Sequence, residues 1–365
     1  MMKIEIITLH AINNYGSVFQ TYATERIFKD LGYDVETIDY IRETAQLNSI
    51  RQIIKYGGPG IKLKTKQILS HLFLEKNKRA GVLQEFREKY LHLTPQKYLS
   101  DQDLINFCPE ADIYCTGSDQ TWNVVCQGGI PKAYFLDFVP AGKIKISFSA
   151  SFGINSIPQE YESGVRELLS KYDAISVRES SGMEILRQLG VKGTQVLDPT
   201  LVLSPQYWYD LASPRLIKNE YILVYQLNGS KTFAKYVNDF ASIHKIPVIL
   251  VRSREEEAIH FQKCFTDLTP EDMLSLFKYA TFVITDSFHG TVFSLIFHRQ
   301  FASIYPPKYS GRLDSVLSLV NLKNRLVEKM NDFSSFDELI DYALVDSILD
   351  KERSASLNFL KSSLP

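Results

Sequence analysis

The stretch of this chain best equipped for chemistry is Ile284-Thr285-Asp286-Ser287-Phe288-His289-Gly290-Thr291. It sets an imidazole where an apolar strand, 281–284, gives way to an apolar helix, 292–297. The free N–H groups and positive dipole end of a helix start favour a phosphate or a carboxylate. Gly290 lets a ligand come close to the backbone, and His289 offers a proton or a contact to the anion. The plainer alternative is a histidine that caps its helix or satisfies a buried polar contact.

Other strand ends carry functional side chains. After the first apolar run, Asn14, Gly16 and Ser17 are residue types that cap helices and tolerate unusual backbone angles. The run 113–123 ends in Ser118, Asp119, Gln120, Trp122 and Asn123. Asp119, Gln120 and Asn123 suit sugar hydroxyls and Trp122 suits a ring face; a tied-down loop is the other reading. Arg178 closes a further strand with a planar fork fit for carboxylate or phosphate, or for a salt bridge to Glu179. Asp198, in Leu197-Asp198-Pro199-Thr200, reads as a structural strand-end carboxylate. Lys308 and Arg312 put two cations in a turn, placed to hold an anion opposite His289.

The elements that must position these groups alternate between short apolar runs and helical periodicity, the mark of βα units with mainly parallel, helix-covered sheets. Strands are expected at 3–9, 35–39, 113–116, 144–149, 174–177 and 195–197, then at 221–226, 248–252, 282–285 and 301–305. The turn chemistry of 203–215 marks a junction. Residues 1–214 form one Rossmann-like domain, 215–332 a second, and 333–365 helices that pack back on the first. One stretch, about 45–107, reads as helical throughout and interrupts the first domain. Between Arg51 and Arg79 it is basic, with Glu75 the lone acid, and interleaved with aliphatic residues. Such a stretch suits an anionic membrane surface or a diphosphate, and equally a solvated helix face.

Composition removes whole classes. A chain of 365 residues fits two domains of roughly 150 to 200 residues each. With 41 basic and 42 acidic residues there is no basic surplus for nucleic acid, so any anion site is local. The four cysteines form no CxxC pair, which argues against zinc and a disulfide framework and for a reduced, cytoplasmic protein. The first residues read as a strand rather than a signal peptide, and no apolar run is long enough to span a bilayer.

Seven segments in order, NNYGSVFQTYA, YCTGSDQTWN, SFSASFG, SVRESSG, VLDPTLVL, ITDSFHGTVFSLIF and SGRLDSVLSLVNLKNRLV, resemble the polysaccharide pyruvyltransferase family. The resemblance implies a fold similar to type B glycosyltransferases, with two Rossmann-like domains facing across a cleft. It also implies transfer of the pyruvyl unit of phosphoenolpyruvate to sugar hydroxyls as a cyclic ketal on a capsular, exopolysaccharide or cell-wall glycan, with loss of phosphate. On this basis His289 is the acid for the donor methylene or a contact to the departing phosphate, and Asp119 the base for the sugar hydroxyl. Arg178, Ser287, Gly290, Lys308 and Arg312 would hold the donor. Asn14, Tyr15, Ser17, Gln20, Ser118, Gln120, Trp122 and Asn123 would face the acceptor.

No metal or cofactor is called for. The expected partners are phosphoenolpyruvate and a glycan, taken to be a cytoplasmic lipid-linked oligosaccharide that the basic insertion would meet at the membrane. One position departs from the family pattern: relatives often carry arginine two residues before this histidine, and here it is Ser287. Either Lys308, Arg312 or the backbone at Gly290 compensates, or the donor differs. A nucleotide-sugar glycosyltransferase and a non-catalytic glycan-binding protein are the competing expectations.

Overall fold

The computed structural model describes residues 1–41, 75–228, 230–252, 259–305 and 311–365. Its frame is a pair of five-stranded, all-parallel sheets built from the short Val- and Ile-rich runs. The first holds β1 (Lys3–Ile7), β2 (Asp34–Tyr40), β3 (Leu93–Tyr98), β4 (Ile113–Thr116) and β5 (Ile144–Ser147), in the order β3-β2-β1-β4-β5. Two short strands, β6 (Ser176–Val177) and β7 (Thr194–Gln195), extend its edge through bridges from Ile146 to Ala174 and from Ala150 to Val177. The second sheet holds β8 (Ile222–Gln226), β9 (Val248–Arg252), β10 (Lys263–Phe265), β11 (Phe282–Thr285) and β12 (Gln300–Ser303), in the order β10-β9-β8-β11-β12. Strand order reverses between β1 and β4 and again between β8 and β11. In such sheets ligands gather at the carboxyl ends of those strands.

Helices follow the strands: α1 (Tyr15–Asp30), α2 (Glu75–Tyr90), α3 (Asp101–Asn106), α4 (Gln159–Leu169), α5 (Ser180–Gln188), α6 (Pro199–Val202) and α7 (Pro205–Leu211) in the first half. The second has α8 (Lys231–His244), α9 (Pro270–Tyr279), α10 (Phe288–Ile296), α11 (Gly311–Leu319) and α12 (Tyr342–Ser363). The two halves share one apolar core. Phe19 of α1 meets Phe293 of α10 edge-on at 4.9 Å, and Trp208 of α7 closes on both, at 5.6 and 5.2 Å. Tyr15 adds a polar stitch by donating its hydroxyl to the Leu268 carbonyl at 2.7 Å. The helices that leave β1 and β11 are thereby locked together, so their first turns meet at fixed distance.

Two expectations need correction, and one strand lies where none was expected. The stretch 45–107 is not helical throughout: 42–74 lie outside the described residues, and 93–98 form β3. An edge strand can carry Pro95, whose missing N–H would break a central ladder. The other outer strand, β10, is a three-residue piece that hydropathy does not announce. The junction 203–215 is not merely turn, because Ser204-Pro205 opens α7 with proline at the first helical position, where its lost donor is harmless. At the end of the chain, Arg353 Nε of α12 donates to the Leu201 carbonyl and Ser356 Oγ accepts from Leu197 N–H, each at 3.0 Å. No described helix is long and apolar enough to cross a membrane, and no disulfide forms among the described residues.

Candidate functional site

Three strand ends of the first sheet converge on one guanidinium. Arg178, just past β6, is fully buried, and its Nη1 donates to Asp198 Oδ2 at 2.7 Å. Asp198 caps α6, accepting from the Thr200 N–H at 3.0 Å and its hydroxyl at 2.6 Å, so its position is fixed by the helix start. Ser118 Oγ donates to the same carboxylate at 3.1 Å. From the end of β4, Asp119 adopts a left-handed φ of 74°, which turns its side chain toward α1. There it accepts from Ser17 Oγ at 2.6 Å and from Gln120 N–H at 2.8 Å, and lies 3.6 Å from Arg178 Nη2. Glu179 stands 3.5 Å from Arg178 Nε while accepting from Ser151 Oγ and the Phe152 N–H.

The second half contributes His289, in the first turn of α10. Its ring lies against the backbone of Gly16 in the first turn of α1, so close that a Cβ there would fall 2.1 Å from Nδ1. That contact points Nε2 toward Asp198 Oδ1, 3.9 Å away, where it has no hydrogen-bond partner among the described residues. Phe288 lies beneath both cations, its ring centroid 4.8 Å from Arg178 Cζ and 5.9 Å from that of Arg312. Arg178 Nε and Nη2 and Arg312 Nε are likewise buried without a hydrogen-bond partner. These neighbouring groups thus carry buried polar atoms that make no hydrogen bond, those of Arg178 being held only by ion-pair contacts to Glu179 and Asp119 at 3.5 and 3.6 Å.

The sequence pattern of polysaccharide pyruvyl transferases matches residues 14–307, from the cap of α1 to beyond β12. The chain belongs to that family. No curated relative matches it. Among solved structures it is similar to the UDP-GlcNAc 2-epimerase of Neisseria meningitidis, with 8% identity, a TM-score of 0.51, and 99% of this chain and 100% of that one covered. It is also similar to Anabaena Alr3699/HepE (8%, TM-score 0.49, 99% and 100% covered) and Acinetobacter baumannii MurG (10%, TM-score 0.44, 97% and 95% covered). At these identities the likeness is one of fold, the two Rossmann-like halves of the type B glycosyltransferase architecture.

In this pyruvyl transferase family member the charges are tuned by burial and by each other. Burial pushes the His289 imidazole down to about 4, against the pull of Asp198, so the ring is neutral at physiological pH. Burial works to raise the Asp119 carboxyl, but Arg178, His289 and the Ser17 hydroxyl outweigh it and hold the group below the usual carboxylate range. Asp198 is likewise held low, where His289 and Arg178 outweigh its burial. Arg312 is shifted down by burial and by the neighbouring Arg178.

The remaining expected site residues fall into two groups. Asn14 accepts from Gly16 N–H and caps α1 at the rim of the site, and Ser17 and Ser118 brace Asp119 and Asp198. Ser287 caps α10 by accepting from Gly290 N–H at 3.3 Å, and Gly290 is pressed onto Thr285, so the expected opening for a ligand at this glycine is closed. Gln20 is fully buried and donates to Thr8 Oγ1 at 2.9 Å. Gln120 and Asn123 bond each other at 2.7 Å, and Asn123 Oδ1 ties down the N–H groups of Val125 and Cys126. Lys308 lies outside the described residues.

Trp122 offers no face to a sugar. Its ring is wholly buried, stacked on Phe135 at 5.4 Å, with Nε1 donating to the Tyr134 carbonyl. Trp122→Ala is therefore expected to cost about 3–5 kcal/mol of stability, read by urea unfolding, as a cavity in the core. A weakened glycan affinity without that loss would restore the ring to the binding surface.

Four positions matter more than their sequence suggests. Asp198 bridges the cation of one half and the imidazole of the other, Glu179 braces Arg178, Phe288 carries both guanidiniums, and Gly16 makes room for the ring. The local signals, the Asp-Pro-Thr helix start at Asp198, the neighbouring charges of Arg178 and Glu179 and the cap at Gly16, report nothing of the contact between the two halves.

Proposed function

We propose that the protein moves the pyruvyl unit of phosphoenolpyruvate onto two hydroxyls of a sugar, forming a cyclic ketal and releasing phosphate. The observation that supports this most is the pair of guanidiniums over Phe288 with unused buried N–H groups beside Nε2 of His289. A small donor carrying a carboxylate and a phosphate needs two separate cationic contacts at short range, and planar forks suit both groups. The reaction needs a proton on the methylene carbon, attack of a hydroxyl at the neighbouring carbon, cleavage of the carbon–oxygen bond to phosphate, and ring closure by the second hydroxyl. The first hydroxyl returns the proton that the methylene takes, and the second gives its proton to the departing phosphate.

His289 is the group suited to move these protons, being neutral with a free Nε2. Asp119 suits a different part from the base first expected of it. Its oxygens are engaged by Ser17 and Gln120, and its proton affinity is low, so it fixes Arg178 instead. The carboxyl ends of the second sheet speak against a nucleotide diphosphate. The N–H groups of Leu227 and Asn228, in the turn after β8 where such a group would dock, are both taken by Asp286 at 2.7 Å. The acceptor is proposed to be a lipid-linked oligosaccharide in the cytoplasm.

The test is phosphate release from phosphoenolpyruvate with a lipid-linked oligosaccharide fraction, together with the mass of the glycan. Release that requires the glycan, and falls roughly 10²–10⁴-fold in His289→Ala, is the expected result. A melting temperature raised by UDP but not by phosphoenolpyruvate would point to a nucleotide-sugar transferase. Glycan binding with no release from any donor would point to a binding protein.

A further inference from the structure

The groups that face the His289 ring come from every element around it. Asp198 stands at the start of α6, Arg178 and Glu179 follow β6, Asp119 follows β4, and Arg312 lies on α11. Gly16 of α1 closes the Nδ1 side. Among the described residues, two fixed cations, Arg178 and Arg312, and two carboxylates, Asp198 and Asp119, act on the ring, while Glu179 stands against Arg178 Nε. A dianion docking on the guanidinium N–H groups that make no hydrogen bond leaves a negative excess inside a buried site, where unbalanced charge is costly.

One group in the site can relieve it. Asp119 and Asp198 already accept hydrogen bonds and Glu179 Oε2 is held against Arg178 Nε, whereas Nε2 of His289 has no partner within hydrogen-bond distance. Gly16 packs against the opposite edge of the ring and so sets where Nε2 lies. A proton on Nε2 would offset part of the added negative charge, give the anion a further donor, and lie 3.9 Å from Asp198 Oδ1.

We propose that an anion binding between Arg178, Arg312 and His289 brings one solvent proton onto Nε2 of His289, so that the ring is neutral in the free protein and an imidazolium in the complex. The consequence for catalysis rests on the pyruvyl-transfer reading. The acid needed by the donor methylene is then armed by the donor's own phosphate, and the empty site holds no acid to waste. The proton passes from the buffer to the ring on binding and returns to the buffer on release, so the cycle balances.

Inorganic sulfate is the direct probe, since it carries no titratable proton near neutrality. Titration calorimetry in buffers of different ionisation enthalpy, between pH 5.5 and 7, is expected to show uptake of about one proton per sulfate, and the sulfate Kd to tighten about tenfold per unit fall in pH. In His289→Gln the uptake and the pH slope are expected to vanish while weaker binding persists. Should that variant fail to fold, the imidazole Cε1–H resonances of the wild type give the same answer, with one of the seven histidines moving to its charged position when sulfate is added.

Uptake that survives in His289→Gln, a flat pH slope in the wild type, or no sulfate binding at all would overturn the proposal. Turnover of phosphoenolpyruvate without proton uptake would sink this inference alone. Sulfate-linked uptake at His289 without any turnover would leave it standing and sink the donor assignment.

Discussion

Gly16→Ala is expected to reduce phosphate release as far as His289→Ala does, roughly 10²–10⁴-fold, while the protein stays folded. The added Cβ would lie 2.1 Å from Nδ1 and 2.6 Å from both Cγ and Cε1 of His289, distances no real pair of atoms sustains. Backbone cannot yield here, since α1 and α10 are locked by Phe19, Phe293 and Trp208. The ring must rotate away, taking Nε2 from Asp198 and from the guanidinium pair. Overpacking of this kind costs about 1–3 kcal/mol, and alanine returns about 1 kcal/mol of helix propensity, so the net effect on unfolding is small. Gly81→Ala on α2 is the control, with open space around it and full activity expected. Near-normal turnover in Gly16→Ala would show that the reaction does not depend on this placement of the imidazole.

The same glycine illustrates what a linear sequence conceals. In the chain it reads as a turn residue next to a cap. Its actual task is to admit a ring from the other half of the molecule, a fact created only when two helices meet. The central strands are legible because burial on both faces demands continuous aliphatic runs, as in β8 and β11. Their outer neighbours are not, since β3 tolerates proline and two exposed polar residues and β10 spans three residues with none fully buried.

The strand-to-helix junction at His289 is legible because apolar strand, small polar cap and apolar helix follow one another directly. The polar cluster from Ser118 to Asn123 is the instructive misreading. Its density suggested sugar binding, yet Gln120 and Asn123 bond each other, Asn123 ties down the turn, and Trp122 belongs to the core. Polar side chains close in sequence can satisfy one another, and composition does not distinguish that from a waiting ligand.

Arg178 joins stability to function, and its removal is expected to damage both. Arg178→Met keeps much of the volume but leaves Asp119, Asp198 and Glu179 buried near an apolar side chain, and breaking a buried pair on one side costs about 3–5 kcal/mol. The pH dependence identifies the cause. In the wild type, Asp119 and Asp198 titrate below their unfolded value, so their stabilisation is present above about pH 4 and lost as pH falls through the folded value. Without the guanidinium, Asp119 loses the strongest influence that lowers it and Asp198 its second strongest after His289, so burial raises both carboxyls. Where a folded value passes the unfolded one the effect reverses sign, stability falling as pH rises from the unfolded value and the loss being complete once pH passes the folded one. Urea unfolding of the two proteins should therefore differ most at pH 7.5 and converge toward pH 4.5. Adding Asp198→Asn to Arg178→Met should recover part of the loss at pH 7.5, because one uncompensated charge is gone. A difference that stays constant across this range would mean that Arg178 stabilises by packing alone, and the site would lose its electrostatic centre.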